Sequence, residues 1–168
     1  MRKIIVLVFF TIALCNSALY FGDGSATLHN LNTLPISTSM TIEFLAKVEV
    51  SPGSGQHVRI FDNENSNEGR CLLSVQGVDG NSFKFELNLN FWSNQGEFNN
   101  GAEIHTGIAS VGRWYHVAAT YDGNTARIYL DGVQQSEFQA MTSAVNFNDI
   151  AYLGNQGFRG HIDDIKIW

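Results

Sequence analysis

Apolar and polar residues alternate with a period of two over long stretches of this chain. In Thr41 to Val50, Ile42, Phe44, Ala46, Val48 and Val50 share one face. Thr41, Glu43, Lys47 and Glu49 lie on the other, where only Leu45 is apolar. From Ser82, Phe83, Phe85, Leu87, Leu89 and Phe91 alternate with Lys84, Glu86, Asn88, Asn90 and Trp92. Every second side chain of a strand points the same way, so such runs predict half-buried strands of an antiparallel sheet. Trp114 to Tyr121 and Ala126 to Leu130 flank Asp122-Gly123-Asn124-Thr125, whose residues tolerate positive φ and let the chain reverse. A long hairpin is predicted there, with a further turn at Asp131-Gly132.

Shorter strands are predicted at Leu19 to Phe21, Ala26 to Leu28, Val58 to Phe61 and Leu72 to Val75. Others fall around Ile104, at Ile150 to Leu153, and in the closing run Phe158 to Trp168. Asp62 to Gly69 and Ser93 to Gly101 read as polar loops, and so does the stretch after the hairpin through Ala144. In Phe158 to Trp168 the parity slips: Ile162, Ile165 and Ile167 cannot share one face of a regular strand. A bulge or bend at Asp163-Asp164 would restore it. Beyond the first residues no segment has a 3.6-residue period. Short strands between Gly, Asn, Asp and Ser turns predict an all-β sandwich or jelly roll.

The first residues differ from the rest. Arg2 and Lys3 precede an apolar run from Ile4 to Leu14, followed by Cys15, Asn16, Ser17 and Ala18. This is the pattern of a secretory signal peptide, residues 1–18, with cleavage after Ser17 or Ala18. A membrane anchor is the alternative, but the run is short of the about 20 residues a span needs. A lipoprotein reading of Cys15 is weakened by the bulky Leu14. Residues 19–168 then form one secreted domain with no further membrane span.

The chain of 168 residues carries 10 basic and 16 acidic residues, a formal net charge of −6. That balance argues against nucleic acid and anionic membrane surfaces, and suits a soluble secreted protein or one that binds cations. Cys15 leaves with the signal, so Cys71 has no intrachain partner. It is either buried beside Leu72 and Leu73 or available for an intermolecular bridge. No Asn-x-Ser/Thr sequon occurs.

Three blocks carry a family resemblance. RWYHVAATYDG at Arg113 to Gly123 continues to IYLDG at Ile128 to Gly132. LGNQGFRGHIDDIKIW closes the chain from Leu153, and ALYFGDGSATL opens it from Ala18, followed by MTIEFLAKVEV from Met40. In this order the blocks resemble laminin-G-like domains of the concanavalin A-like lectin and glucanase superfamily. The resemblance implies a two-sheet antiparallel jelly-roll sandwich. It further implies that Asp163 matches a calcium ligand of related jelly rolls, working with groups near the first strand, where Asp23 is the candidate partner.

Candidate chemistry is sparse. Trp92 continues the polar face of Glu86, Asn88 and Asn90. A ring can stack on the apolar face of a sugar while amides and acids bond its hydroxyls. Trp114 and Trp168 are expected in the core or in sheet packing. Asp62, Glu64, Asn65, Asn67 and Glu68 make an oxygen-rich stretch, but an EF-hand is excluded because its sixth position would be Asn67 and its twelfth Leu73. The five histidines show no zinc spacing such as H-E-x-x-H, and His116 is expected to be a hydrogen-bonded strand residue. No E-x-D-x-x-E motif supplies the paired carboxylates of a glycosidase, and no G-x-S-x-G or Cys/His nucleophile pair is evident. The expectation is a non-catalytic, lectin-like module that binds glycan, with calcium as its candidate ion. An adhesion or assembly module binding extracellular protein is the alternative, with a glycoside hydrolase as a third reading that the missing motif discounts. Sequence leaves the ligand and oligomeric state open.

Overall fold

The computed structural model describes residues 18–22, 24–29, 31, 39–65, 69–90, 102–140 and 150–168. The signal-peptide reading of residues 1–17, Asp23, and Phe91 and Trp92 lie outside them. Every element among the described residues is a β-strand, and among them there is no helix long and apolar enough to cross a membrane.

Six strands form one sheet. In spatial order they are β1 (Leu19–Phe21), β13 (Gly160–Ile167), β3 (Met40–Val48), β9 (Trp114–Tyr121), β10 (Thr125–Leu130) and β11 (Val133–Ala140). Seven form the other: β2 (Ala26–Leu28), β12 (Ala151–Asn155), β4 (His57–Asn65), β5 (Gly69–Gly77), β6 (Ser82–Asn90) and β7 (Ala102–His105), with β8 (Ala109–Ser110) beside β6. All pairings are antiparallel.

The alternating residues line the core between the sheets. Ile42, Phe44, Ala46 and Val48 of β3 face Phe83, Phe85, Leu87 and Leu89 of β6 within one buried cluster. Val50 lies beyond the end of β3 and is exposed rather than sharing the buried face. Edge-on contacts of Phe83 and Phe85 with Tyr115 join the sheets, with centroids 6.2 and 5.9 Å apart. Gly154 completes the seal beside β1. Its φ is +69°, and a Cβ there would stand 2.2 Å from the Phe21 ring, so only glycine fits. Cys71 is buried in the same core, where desolvation pushes its thiol pKa well up.

Turn chemistry fixes the register of the hairpins. Asp122 Oδ1 accepts the backbone N–H groups of Asn124 and Thr125 at 3.0 and 2.8 Å. Asp131 and Gly132 both have positive φ, 50° and 78°, as a two-residue turn matched to strand twist requires. Asp131 Oδ1 also accepts the His116 N–H at 3.0 Å, and His116 Nε2 lies 3.3 Å from Glu43 Oε2. The parity slip in β13 is a bulge. Its register shifts between Asp163 and Lys166, Asp164 has a φ of 48°, and Ile162 and Ile165 both point inward.

Two loop expectations are corrected. Asp62 to Gly69 is mostly strand: β4 runs to Asn65 and β5 starts at Gly69. Its first two polar residues are tied down, Asn63 Nδ2 donating to the Ile150 carbonyl at 2.9 Å and Asp62 Oδ2 accepting from Arg59 and Asn155. The stretch after the hairpin is also partly strand, as β11 pairs with β10 through Ala140.

Candidate functional site

The outer face of the six-stranded sheet carries an aromatic row. Tyr20 pairs with His161, His161 with Lys47, and Lys47 with Trp114, so four side chains lie in line across β1, β13, β3 and β9. The His161 ring lies between the other two, 5.0 Å from Tyr20 and 5.9 Å from Trp114 between centroids. Tyr20 is 64% exposed and Trp114 41%. Charge borders the row. Lys47 Nζ contacts Glu49 Oε1 at 2.7 Å, and His161 Nδ1 lies 3.4 Å from the same oxygen. The hydrogen bond from Lys47 holds the Glu49 carboxyl below its ordinary pKa. Flat rings with reachable faces beside charged hydrogen-bonding groups can take a ligand that is apolar on one side and hydroxylated on its edges.

Of the two places expected for Trp114, core or sheet packing, the core is not where it lies. Tyr115, Val117, Ala119 and Tyr121 take the inward positions of β9, so parity sends Trp114 outward. Trp168 is exposed as well. Its backbone exchanges two hydrogen bonds with Thr41 at 2.7 and 3.0 Å, and this pairing rather than its ring secures it.

The outer face of the seven-stranded sheet is different. Glu86 and Asn88 of β6 point away from the core, as their parity requires, yet they are only 3% and 9% exposed. Arg59, Ser74, Glu86 and His105 pair in sequence across β4, β5, β6 and β7. Glu86 Oε2 lies 2.8 Å from His57 Nδ1 and 3.6 Å from His105 Nε2. His105 Nε2 lies 3.9 Å from Glu103 Oε1, and Asn88 Nδ2 donates to Glu103 Oε2 at 3.4 Å. Of the sugar-facing set read from sequence, the structure therefore brings Glu86 and Asn88 together with two histidines and a second glutamate. Trp92 and the side chain of Asn90 lie outside the described residues. Sequence reasoning missed the histidines because strand pairing, not chain spacing, assembles them. The one local signal was Glu103-Ile104-His105, where residues two apart share a face.

Asp163 sits at the bulge beside a small cavity lined by Leu19, Ala26, Leu28, Leu153, Ile162 and Ile165. Its Oδ1 accepts the Asp164 N–H at 2.8 Å, while Asp164 Oδ2 pairs with Lys166 Nζ at 2.8 Å. Two carboxylates, one already paired, fall short of the six to eight oxygens calcium takes. The remainder would come from backbone carbonyls, water and Asp23, which is outside the described residues.

Two antiparallel sheets packed through a shared core define a jelly-roll sandwich. Residues 21–168 match the laminin-G-type family model of the concanavalin A-like lectin/glucanases superfamily, and the chain belongs to that family. Mouse (Mus musculus) pappalysin-1 is 33% identical over 69 residues, a match covering 34% of this chain and 4% of that protein. The LG4-5 domains of the mouse laminin alpha1 chain superpose with a TM-score of 0.59 at 13% identity, over 89% of this chain and 40% of theirs. The binding domain of botulinum neurotoxin DC in complex with SialylT superposes with a TM-score of 0.63 at 16% identity, over 89% of this chain and 37% of its own. A botulinum neurotoxin type C structure, from work on cell entry dependent upon two ganglioside molecules, gives 0.62 at 14%, over 90% and 41%. At such identities these structures share the fold, and this chain spans well under half the length of each.

Proposed function

We propose that this chain is a secreted, non-catalytic binding module, with residues 1–18 as its signal peptide and 19–168 as its domain, and that it binds glycan. The observation that carries this reading is the row of exposed Tyr20, half-buried His161 and exposed Trp114, bordered by Lys47 and Glu49. Pyranose rings present an apolar face to aromatic side chains and hydroxyls to charged ones, so the row suits stacking with edge hydrogen bonds. The sugar-binding role read from sequence for Trp92, Asn90, Asn88 and Glu86 is harder to support at Glu86, whose burial limits its reach to a ligand. Family membership and the ganglioside dependence described for a toxin domain of this fold support glycan as the ligand class. A structural calcium at Asp163, shared with Asp23, is the finer part of the proposal. It would couple the bulge of β13 to the opening turn.

A glycan array probed with the full chain, with and without chelator, tests the reading. Tyr20→Ala and Trp114→Ala should each weaken retained binding by about tenfold, which corresponds to roughly 1.4 kcal/mol, while melting stays near that of the native chain. An array that stays blank, or signals indifferent to both substitutions, would sink it.

A specific feature favours protein as a second ligand class. Ile108 and Val133 are both exposed, and Gly107 N–H donates to Gln135 Oε1 at 2.8 Å, which ties their two segments together at one end of the fold. Binding that survives loss of the aromatic row but not Ile108→Ser would move the ligand there.

A further inference from the structure

We infer that Glu86, Glu103 and His105, with His57 beside Glu86, form a binding site for a divalent transition-metal ion of the zinc type. Among the described residues these first three are the one group whose ligand atoms converge, all within 4.8 Å of one another. Their separations match the purpose. Ligand atoms about 2.0–2.1 Å from a tetrahedral ion stand roughly 3.4 Å apart. Glu86 Oε2 to His105 Nε2 is 3.6 Å and His105 Nε2 to Glu103 Oε1 is 3.9 Å. Small side-chain rotations close these onto one point.

The second observation is the state of Glu86. Its Oε2 is fully buried and accepts no hydrogen bond, although His57 Nδ1 is within 2.8 Å. The pair has the distance of a hydrogen bond without its alignment. A buried carboxylate oxygen without a donor is costly. A cation held with Glu103 and His105 would supply the partner that this oxygen lacks.

The donor set selects the class of ion. One imidazole nitrogen with two carboxylates, the fourth position left to water, suits zinc and its neighbours, whereas calcium and magnesium take oxygen. Supporting contacts are in place. Asn88 holds Glu103 through Oε2, leaving Oε1 on the His105 side, and the Gln76 amide lies 3.4 Å from His57 Nε2. Such outer contacts orient ligands and fix the imidazole tautomer. Glu103 is exposed, which gives an ion a way in. The site lies on the opposite sheet from the aromatic row and stands independently of the glycan reading.

The test is calorimetric titration of the chelator-stripped full chain with Zn²⁺ at neutral pH, followed by the same titration with Ca²⁺. The expected result is one Zn²⁺ per chain, with Ca²⁺ unable to compete. Glu86→Gln and His105→Asn should each weaken Zn²⁺ binding by about ten- to a hundredfold or more. Co²⁺ should give the visible absorption of a four-coordinate ion in the native chain, so the proposal is testable even where a variant misfolds. Absence of stoichiometric Zn²⁺ binding by the native chain would overturn the site. So would Zn²⁺ affinity unchanged in folded Glu86→Gln, or displacement of Zn²⁺ by equimolar Ca²⁺.

Discussion

The two outer faces of this sandwich treat charge in opposite ways. On the six-stranded sheet the ion pairs stand in solvent: Lys47 with Glu49, Arg127 with Asp122, and Lys166 with Asp164 and Glu43. On the seven-stranded sheet the charges are sunk. Arg59 and Asp62 are largely buried as a pair at 2.7 Å, and Glu86 is buried against His57. Solvent can replace a partner on the first face but not on the second. The first face is therefore free to exchange its contacts with a ligand, whereas the second commits its polar groups to each other or to an ion.

The largest expected effect tests that contrast directly. Arg59→Met leaves the Asp62 carboxylate buried, with Oδ2 still bonded to Asn155 but Oδ1 without a hydrogen bond. Removing one partner of a buried pair costs about 3–5 kcal/mol. Lys166→Met removes an exposed cation, and its loss should be a small fraction of that. Denaturant unfolding of both variants is the measurement. Equal losses would mean that the faces do not differ in this way.

Next in size is the bulge of β13. A calcium ion bound only by the folded chain would stabilise it by about 2.7 kcal/mol at a hundredfold excess over Kd. Melting should rise with calcium in the native chain and stay nearly flat in Asp163→Asn, while Asp164→Asn, whose carboxylate already pairs with Lys166, keeps the native response. Insensitivity of the native chain to complete calcium removal would leave Asp163 as a turn residue only. Glu86→Gln separates the two ions, since it should leave this calcium response intact.

The same contrast governs what could be read from the sequence. The inner faces of β3, β6, β9 and β10 were legible because burial selects apolar residues at every second position. The bulge at Asp163-Asp164 was legible for the same reason, as a break in parity. β11 was not. Val133-Gln134-Gln135-Ser136 is polar, and an edge strand paired on one side to β10 needs no apolar alternation. The tail of β4 was hidden because polar residues in a strand look like a loop until their cross-strand partners are known. Glu86 and the groups around it come from three separate strands, and their meeting depends on register, which single-chain spacing does not encode. Trp114 was available to parity all along, since its neighbour Tyr115 already occupied the inward place.

The smallest expected effect is electrostatic and lies on the exposed side. Asp122 is exposed, yet its pKa falls to about 2. The hydrogen bond from Arg127, 2.6 Å away, is the main cause, and the turn N–H groups of Asn124 and Thr125 add to it. Desolvation opposes the shift, so direct donation to the carboxylate accounts for it. A carboxyl whose folded pKa is depressed contributes stability above its unfolded value, and that contribution is lost as pH falls through the folded one. Asp122→Asn keeps an acceptor oxygen for the turn but loses the charge that holds Arg127. Its melting temperature should lie slightly below native at neutral pH. The gap should narrow below the ordinary value of 3.8 and close near pH 2. Asp122 side-chain NMR titration supplies the direct readout, and a midpoint at the ordinary carboxylate value would show that solvent, not Arg127, sets the charge of this turn.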